Sequence, residues 1–111
     1  MNSTETLKLN KDFKRLYYRG KCATSYTVVI YAQKNRLGHS RVGLTCGKTV
    51  GKATKRNRAK RLMRECYRIM SANLKPGYDI VIVARTRIVG KKCSEVLKDV
   101  KYAFSKLGMI V

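Results

Sequence analysis

The run Tyr78-Asp79-Ile80-Val81-Ile82-Val83-Ala84-Arg85 constrains the fold of this chain more than any other stretch. Its interior is apolar without a break and mostly β-branched, which selects a strand. A strand with one wet face alternates apolar and polar residues. One that does not alternate is covered on both faces. The chain must therefore supply a layer above and a layer below a small sheet. At 111 residues it forms one domain, long enough to bury a core without disulfide or metal staples.

The remaining elements supply those layers. Residues 1–8 are polar and expected to be loose. Asn10 is placed to cap a short helix over residues 11–19, which Gly20 is expected to end in the left-handed conformation. Residues 25–33 read as a strand with Tyr26, Val28 and Ile30 on one side and Thr27, Val29 and Tyr31 on the other, with room for a short strand near Lys21–Ala23. After a polar loop (34–40), residues 41–48 alternate again. Val42, Leu44 and Cys46 face one way; Gly43, Thr45 and Gly47 leave the other open to close approach. A helix is expected from about Thr54, its plausible cap, to Ala72. Pro76-Gly77 make a turn before the central strand. A final helix from about Lys92 to Leu107 packs through Val96, Val100, Ala103 and Leu107. The order is α-β-β-α-β-α with an optional extra strand, an α+β fold.

Composition narrows function. The formal net charge is +20, from 26 Lys and Arg against six acids. Such self-repulsion destabilises a small fold unless a polyanion relieves it. Nucleic acid leads, because neutralising phosphates releases counterions; an anionic membrane surface fits less well, since no segment pairs a basic face with a wide, bulky apolar one outside the core pattern. The charge is densest over Lys52–Arg68, KATKRNRAKRLMRECYR, where the only acid is Glu65. At 100° per residue, Ala59, Leu62, Met63, Cys66, Ile69 and Met70 form one stripe, and Asn57, Arg61, Arg64 and Arg68 the opposite face. The segment buries the first and presents the second. Lys48 and Lys52 stand at its entrance among glycines, where a backbone phosphate fits.

Catalytic parts are scarce. The acids form no pair at helical or strand spacing, His39 reads as a loop residue, and GKTVGKAT lacks the order of a nucleotide-binding P-loop. Cys22, Cys46, Cys66 and Cys93 have no C-x-x-C spacing, so no metal site is expected, and reduced thiols suit a cytoplasmic protein. No apolar run approaches membrane-spanning length. Phe13, Tyr17 and Tyr31 admit two readings: core residues, or rings that stack unpaired bases beside Lys11, Lys14, Arg15, Arg19 and Lys21. Pattern alone leaves both open.

RVGLTCGKTVGKATKRNRAKRLMRE, residues 41–65, resembles the signature of the bacterial ribonuclease P protein component. The match rests on the Arg-x-Gly strand, the lysine and glycine loop, and Arg56-Asn57-Arg58, Lys60-Arg61 and Arg64-Glu65. DFKRLYYRG and VVIY also fall where that family has its first helix and second strand, so the likeness spans about residues 7 to 107. It implies an αβββαβα sandwich with a left-handed crossover, against the usual right-handed rule. It further implies that Phe13, Tyr17 and Tyr31 line a cleft for the single-stranded 5′ leader of precursor tRNA. Arg56, Asn57, Arg58, Lys60, Arg61 and Arg64, with Lys48, Lys52 and Arg68, would then meet the catalytic RNA. That RNA and its Mg2+ would carry out the cleavage, with no cofactor held by the protein and no obligate protein partner. Three other readings predict differently, one of them a sequence-specific DNA binder that duplex DNA would compete for at moderate salt. An RNA-packing protein needs no convergence of the three aromatics, and a protein nuclease needs a catalytic group such as His39 or a paired acid.

Overall fold

In a computed structural model, which describes residues 4–111, one mixed sheet carries helices on both faces. Its strands are β1 (Thr4–Thr6), β2 (Lys21–Thr24), β3 (Val28–Lys34), β4 (Ser40–Thr45) and β5 (Tyr78–Ala84), arranged in the order β1-β4-β5-β3-β2. The helices are α1 (Asn10–Arg19), α2 (Ala53–Ser71) and α3 (Cys93–Lys106). The unbroken apolar run is β5, hydrogen-bonded to β4 in parallel and to β3 antiparallel. Ile80, Ile82 and Ala84 face the larger core under α2 and α3, while Val81 faces a smaller one under α1 with Leu7 and Leu16. Both faces are thus buried, as the absence of alternation requires. The link β4–α2–β5 is the parallel crossover, and the αβββαβα order is present in full.

Several local expectations change. Of residues 1–8, the first three lie outside the described residues. Thr4–Thr6 are not loose: they pair in parallel with Ser40–Val42, and the Leu7 N–H donates to the Val42 carbonyl at 2.8 Å. The sheet edge offers backbone partners and the inner core buries Leu7, so a polar segment becomes a strand. Neither Asn10 nor Thr54 caps a helix; the caps are Leu9 and Lys52, without side-chain hydrogen bonds. Gly20 has φ −72° and is not left-handed. Its reason is steric, because a Cβ there would lie 2.6 Å from the Leu16 carbonyl oxygen. On α2, Ala59, Met63, Cys66, Tyr67 and Met70 are buried, Leu62 is half-buried and Ile69 is exposed. The stripe is rotated toward Tyr67, whose ring packs near that of Phe104 on α3.

A buried carboxylate fixes how α1 sits on the sheet. Asp79 is 1% exposed. It accepts from Arg41 Nε at 2.8 Å and Arg41 Nη2 at 2.7 Å, from Arg15 Nη2 at 2.7 Å and from Asn35 Nδ2 at 2.9 Å. Arg15 also donates to Gln33 Oε1 at 2.5 Å on β3. A buried carboxylate needs such partners, and here they come from α1, β4 and the loop after β3.

Candidate nucleic-acid interface

The aromatic positions come together at the seam between α1 and the sheet. Phe13 and Tyr17 lie one turn apart on α1, and Tyr31 rises from β3 beneath them. The Tyr17 and Tyr31 rings meet edge to face with centroids 5.0 Å apart. Phe13 and Tyr31 are half-buried on the smaller core, while Tyr17 is 44% exposed. Burial pushes the Tyr31 hydroxyl pKa up, with the Cys22 thiol beside it adding to the shift, so the ring stays neutral. Phe13 and Tyr31 thus put one edge into the smaller core, as the first reading has it, and Tyr17 stays at the surface.

Gly43 makes this arrangement possible. A Cβ on Gly43 would stand 2.6 Å and 2.7 Å from two Phe13 ring carbons, so only glycine lets the ring come this close to β4. The open face expected of β4 is filled from within the chain.

Phe13 and Tyr17 look into a depression whose far wall is Leu44, Thr45, Cys46 and Lys60. Lys60, half-buried on α2, also lines a second depression with Arg64, Tyr67 and Val42, and a third with Thr54, Asn57, Arg61 and Arg64. The aromatic seam and the basic helix are therefore one surface, joined at Lys60. Asn57, Arg61 and Arg64 are exposed along it. Arg56 leans inward near Cys46, where its charge and that of Lys60 lower the thiol pKa against a larger rise from burial. Its Nε is buried and has no hydrogen-bond partner. Arg58 donates from Nη2 to the Lys91 carbonyl at 2.9 Å, which ties α2 to the segment before α3. Arg68 turns away and pairs with Glu65 at 3.0 and 2.5 Å. Lys48, in a 3-10 turn (Lys48–Val50), and Lys52 are exposed at the entrance of α2.

The first turn of α2 contains no acid, and Lys52, Lys55 and Arg56 crowd the end where the helix macrodipole is already positive. That arrangement is unfavourable in isolation and is relieved by an anion. Five of the six acids have partners within the chain. Asp79 is held under two guanidiniums. Asp12 pairs with Arg15, Asp99 accepts from the Thr27 N–H and hydroxyl, Glu95 accepts from the Lys92 N–H, and Glu65 pairs with Arg68. Among the described residues no three His, Cys, Asp or Glu side chains converge into a metal cage. No helix among the described residues is long and apolar enough to cross a membrane.

Fold and interface together define a basic α/β sandwich protein with a continuous aromatic and cationic face suited to nucleic acid. The chain matches the Ribonuclease P family over residues 1–108. The ribonuclease P protein component of Clostridium acetobutylicum is 39% identical over 107 residues, covering 95% of this chain and 90% of that one. The Clostridioides difficile protein of the same name is 42% identical over 101 residues, covering 90% and 89%. Among solved structures, the RNase P protein of Thermotoga maritima superposes with a TM-score of 0.80 at 29% identity, over 88% of this chain and 93% of that one. The Staphylococcus aureus RNase P protein has the same fold, with a TM-score of 0.84 at 24% identity, covering 96% and 97%. The chain belongs to the ribonuclease P protein family, the accessory protein subunits of the ribonucleoprotein endoribonuclease that processes tRNA 5′ ends.

Proposed function

We propose that this chain holds the single-stranded 5′ leader of precursor tRNA on Phe13, Tyr17 and Tyr31 while α2 docks on the catalytic RNA. The observation that carries this reading is the shared depression in which Phe13 and Tyr17 face Lys60 across the end of β4. Bases stack on aromatic rings regardless of sequence, and phosphates follow the cations beside them. A protein that merely packs RNA has no use for rings converging on an open groove.

On α2, Asn57, Arg61 and Arg64 present donors outward, and Lys48 and Lys52 extend the positive field past the helix entrance. Arg56, leaning inward, adds its charge to the positive field at the start of α2. Arg58 contributes charge while bracing the helix, and Arg68, shared with Glu65, contributes less. Cleavage belongs to the RNA subunit and the Mg2+ it binds. The protein lowers the repulsion between two polyanions and fixes where the leader runs, in the cytoplasm.

The deciding experiment mixes this protein with a bacterial ribonuclease P RNA and precursor tRNA at low Mg2+, leaving out each component in turn. The expected result is 5′ processing only when RNA and protein are both present. Cleavage by protein alone would replace this reading with a protein nuclease; tight RNA binding without stimulation would replace it with RNA packing.

A further inference from the structure

Arg19 and Lys21 stand next to the aromatics in sequence but do not reach them. They line a separate depression of about 280 Å3, with Lys34 completing its cationic rim and Tyr78, Leu107 and Met109 among its apolar lining. It lies at the start of β5, where Lys34 pairs with Tyr78, whereas α2 is entered from the other end of the sheet, beyond Thr45 and Val83. It is therefore remote from the entrance of the basic helix. Alternation along β3 also separates it from the aromatic seam. Ala32 and Lys34 point to the face opposite Tyr31, and Lys21 is the cross-strand partner of Ala32.

The chemistry of the depression is selective. None of its lining residues is an acid, and among the described residues Arg19, Lys21 and Lys34 have no acidic partner. The neighbouring Asp79 is fully engaged by Arg41, Arg15 and Asn35. Met109 is fully buried and Leu107 and Tyr78 are half-buried, so an apolar surface with a phenol ring lies within a ring of three uncompensated cations. Ligand pockets for drug-sized molecules begin at roughly 300 Å3, so this space suits one flat ring with its charged attachments outside. Lys21 and Lys34 are offset by two residues of strand, about 7 Å, a separation that fits successive phosphates better than a single one. An acidic peptide would satisfy the cations but leave the ring without a partner. A lipid surface would meet a concavity where it needs a protruding apolar face.

We infer that the depression formed by Arg19, Lys21, Lys34, Tyr78, Leu107 and Met109 binds a short single-stranded RNA segment distinct from the one held at Phe13, Tyr17 and Tyr31. One base lies against Tyr78 and Leu107, above the buried Met109, and the flanking phosphates meet Arg19, Lys21 and Lys34. The chain thereby grips two unpaired RNA segments at once, at separate places on the sheet.

The test uses the holoenzyme saturated with precursor tRNA, which occupies the aromatic seam, and a fluorescently labelled, unstructured RNA octamer read by anisotropy. The octamer is expected to bind this saturated complex. Lys21→Glu with Lys34→Glu is expected to weaken that binding about tenfold or more, while Lys92→Glu with Lys98→Glu, an equal charge change at the cap and on the body of α3, alters it less than twofold. Tyr78→Leu is expected to weaken it while preserving the salt slope, since it removes stacking and no phosphate contact. Absence of octamer binding to the saturated complex, or equal loss in the two charge-reversed pairs, would overturn the inference. The same contrast is expected on the free protein. A holoenzyme that fails to process precursor tRNA would therefore count against the proposed function and leave this site standing or falling by its own binding data.

Discussion

Arg41 grips Asp79 with a two-pronged hydrogen bond between adjacent parallel strands, Nε to Oδ1 at 2.8 Å and Nη2 to Oδ2 at 2.7 Å. The two residues are register partners in β4 and β5, so the pair staples the ends of the crossover strands together. Arg15 reaches the same carboxylate from α1 at 2.7 Å. One buried acid thus sets β4, β5 and α1 relative to one another, and with them the groove in which Phe13 and Tyr17 stand.

That arrangement predicts an acid limb in stability. Burial alone would raise the Asp79 pKa, but hydrogen bonds from Arg41, Asn35 and Arg15, with the Arg41 charge, hold it at about 2. An unfolded aspartate titrates near 3.9. The folded pKa is the lower one, so the contribution is fully present above about pH 4 and is lost as pH falls toward 2. Its size is on the order of 2 kcal/mol. Urea midpoints measured at constant m-value are expected to fall across that window. Asp79→Asn is expected to flatten the limb and to destabilise the protein at neutral pH by about 3 kcal/mol, because two guanidiniums lose their partner. An unchanged acid limb in Asp79→Asn would assign it to another carboxylate.

Gly43 gives a test of geometry without touching a charge or a ring. Gly43→Ala puts a methyl within 3 Å of the Phe13 ring, which must rotate or lift. The expected stability loss is about 1–3 kcal/mol, the usual result of overpacking. Affinity for precursor tRNA is expected to fall several-fold while affinity for mature tRNA holds. A variant with wild-type affinity for both would show that the position of Phe13 against β4 does not matter to RNA.

The sequence made the layers legible because layers are a local signal. The non-alternating run 80–84 and the α2 stripe each declare their burial within a few residues. Gly43 was legible as an approach point, though not what approaches. The Asp79 cluster was not legible. Its partners stand 64, 44 and 38 positions away in sequence, and nothing in DIVIVA says that its leading acid turns inward. β1 was missed for a related reason: TET has no apolar period, and its pairing comes from an edge that exists only after folding. Proximity in sequence also misled. Arg15, Arg19 and Lys21 border the aromatics in the chain, yet Arg15 is spent on Asp79 and the other two face a different depression.

The cations of α2 are not equivalent in space, and the salt dependence of assembly with the catalytic RNA is expected to separate them. Arg61 and Arg64 stand outward with no ion pair among the described residues, so each change to alanine is expected to lower the slope of log K against log salt by about 0.7–0.9, one phosphate contact. Arg68 is paired with Glu65. Arg68→Ala is expected to change the slope by less than half as much. Equal slopes for all three variants would mean that the Glu65 pair opens on docking and that the whole outer face meets phosphate.

Removing both faces of the aromatic seam tests the central proposal. Phe13→Ala with Tyr31→Ala takes away two rings that carry part of the smaller core as well as its surface. Circular dichroism and a urea midpoint must therefore first establish a folded protein. Base stacking on such rings is worth about 1–3 kcal/mol per base. Holoenzyme carrying the double variant is expected to bind precursor tRNA at least tenfold more weakly, to bind mature tRNA as before, and to keep its salt slope, because no cation has been touched. Tyr17→Phe, which keeps the ring and its edge-to-face contact with Tyr31, is expected to stay within twofold of wild type on both RNAs. Equal loss for precursor and mature tRNA in the folded double variant would remove the leader from this groove and leave the seam as core alone.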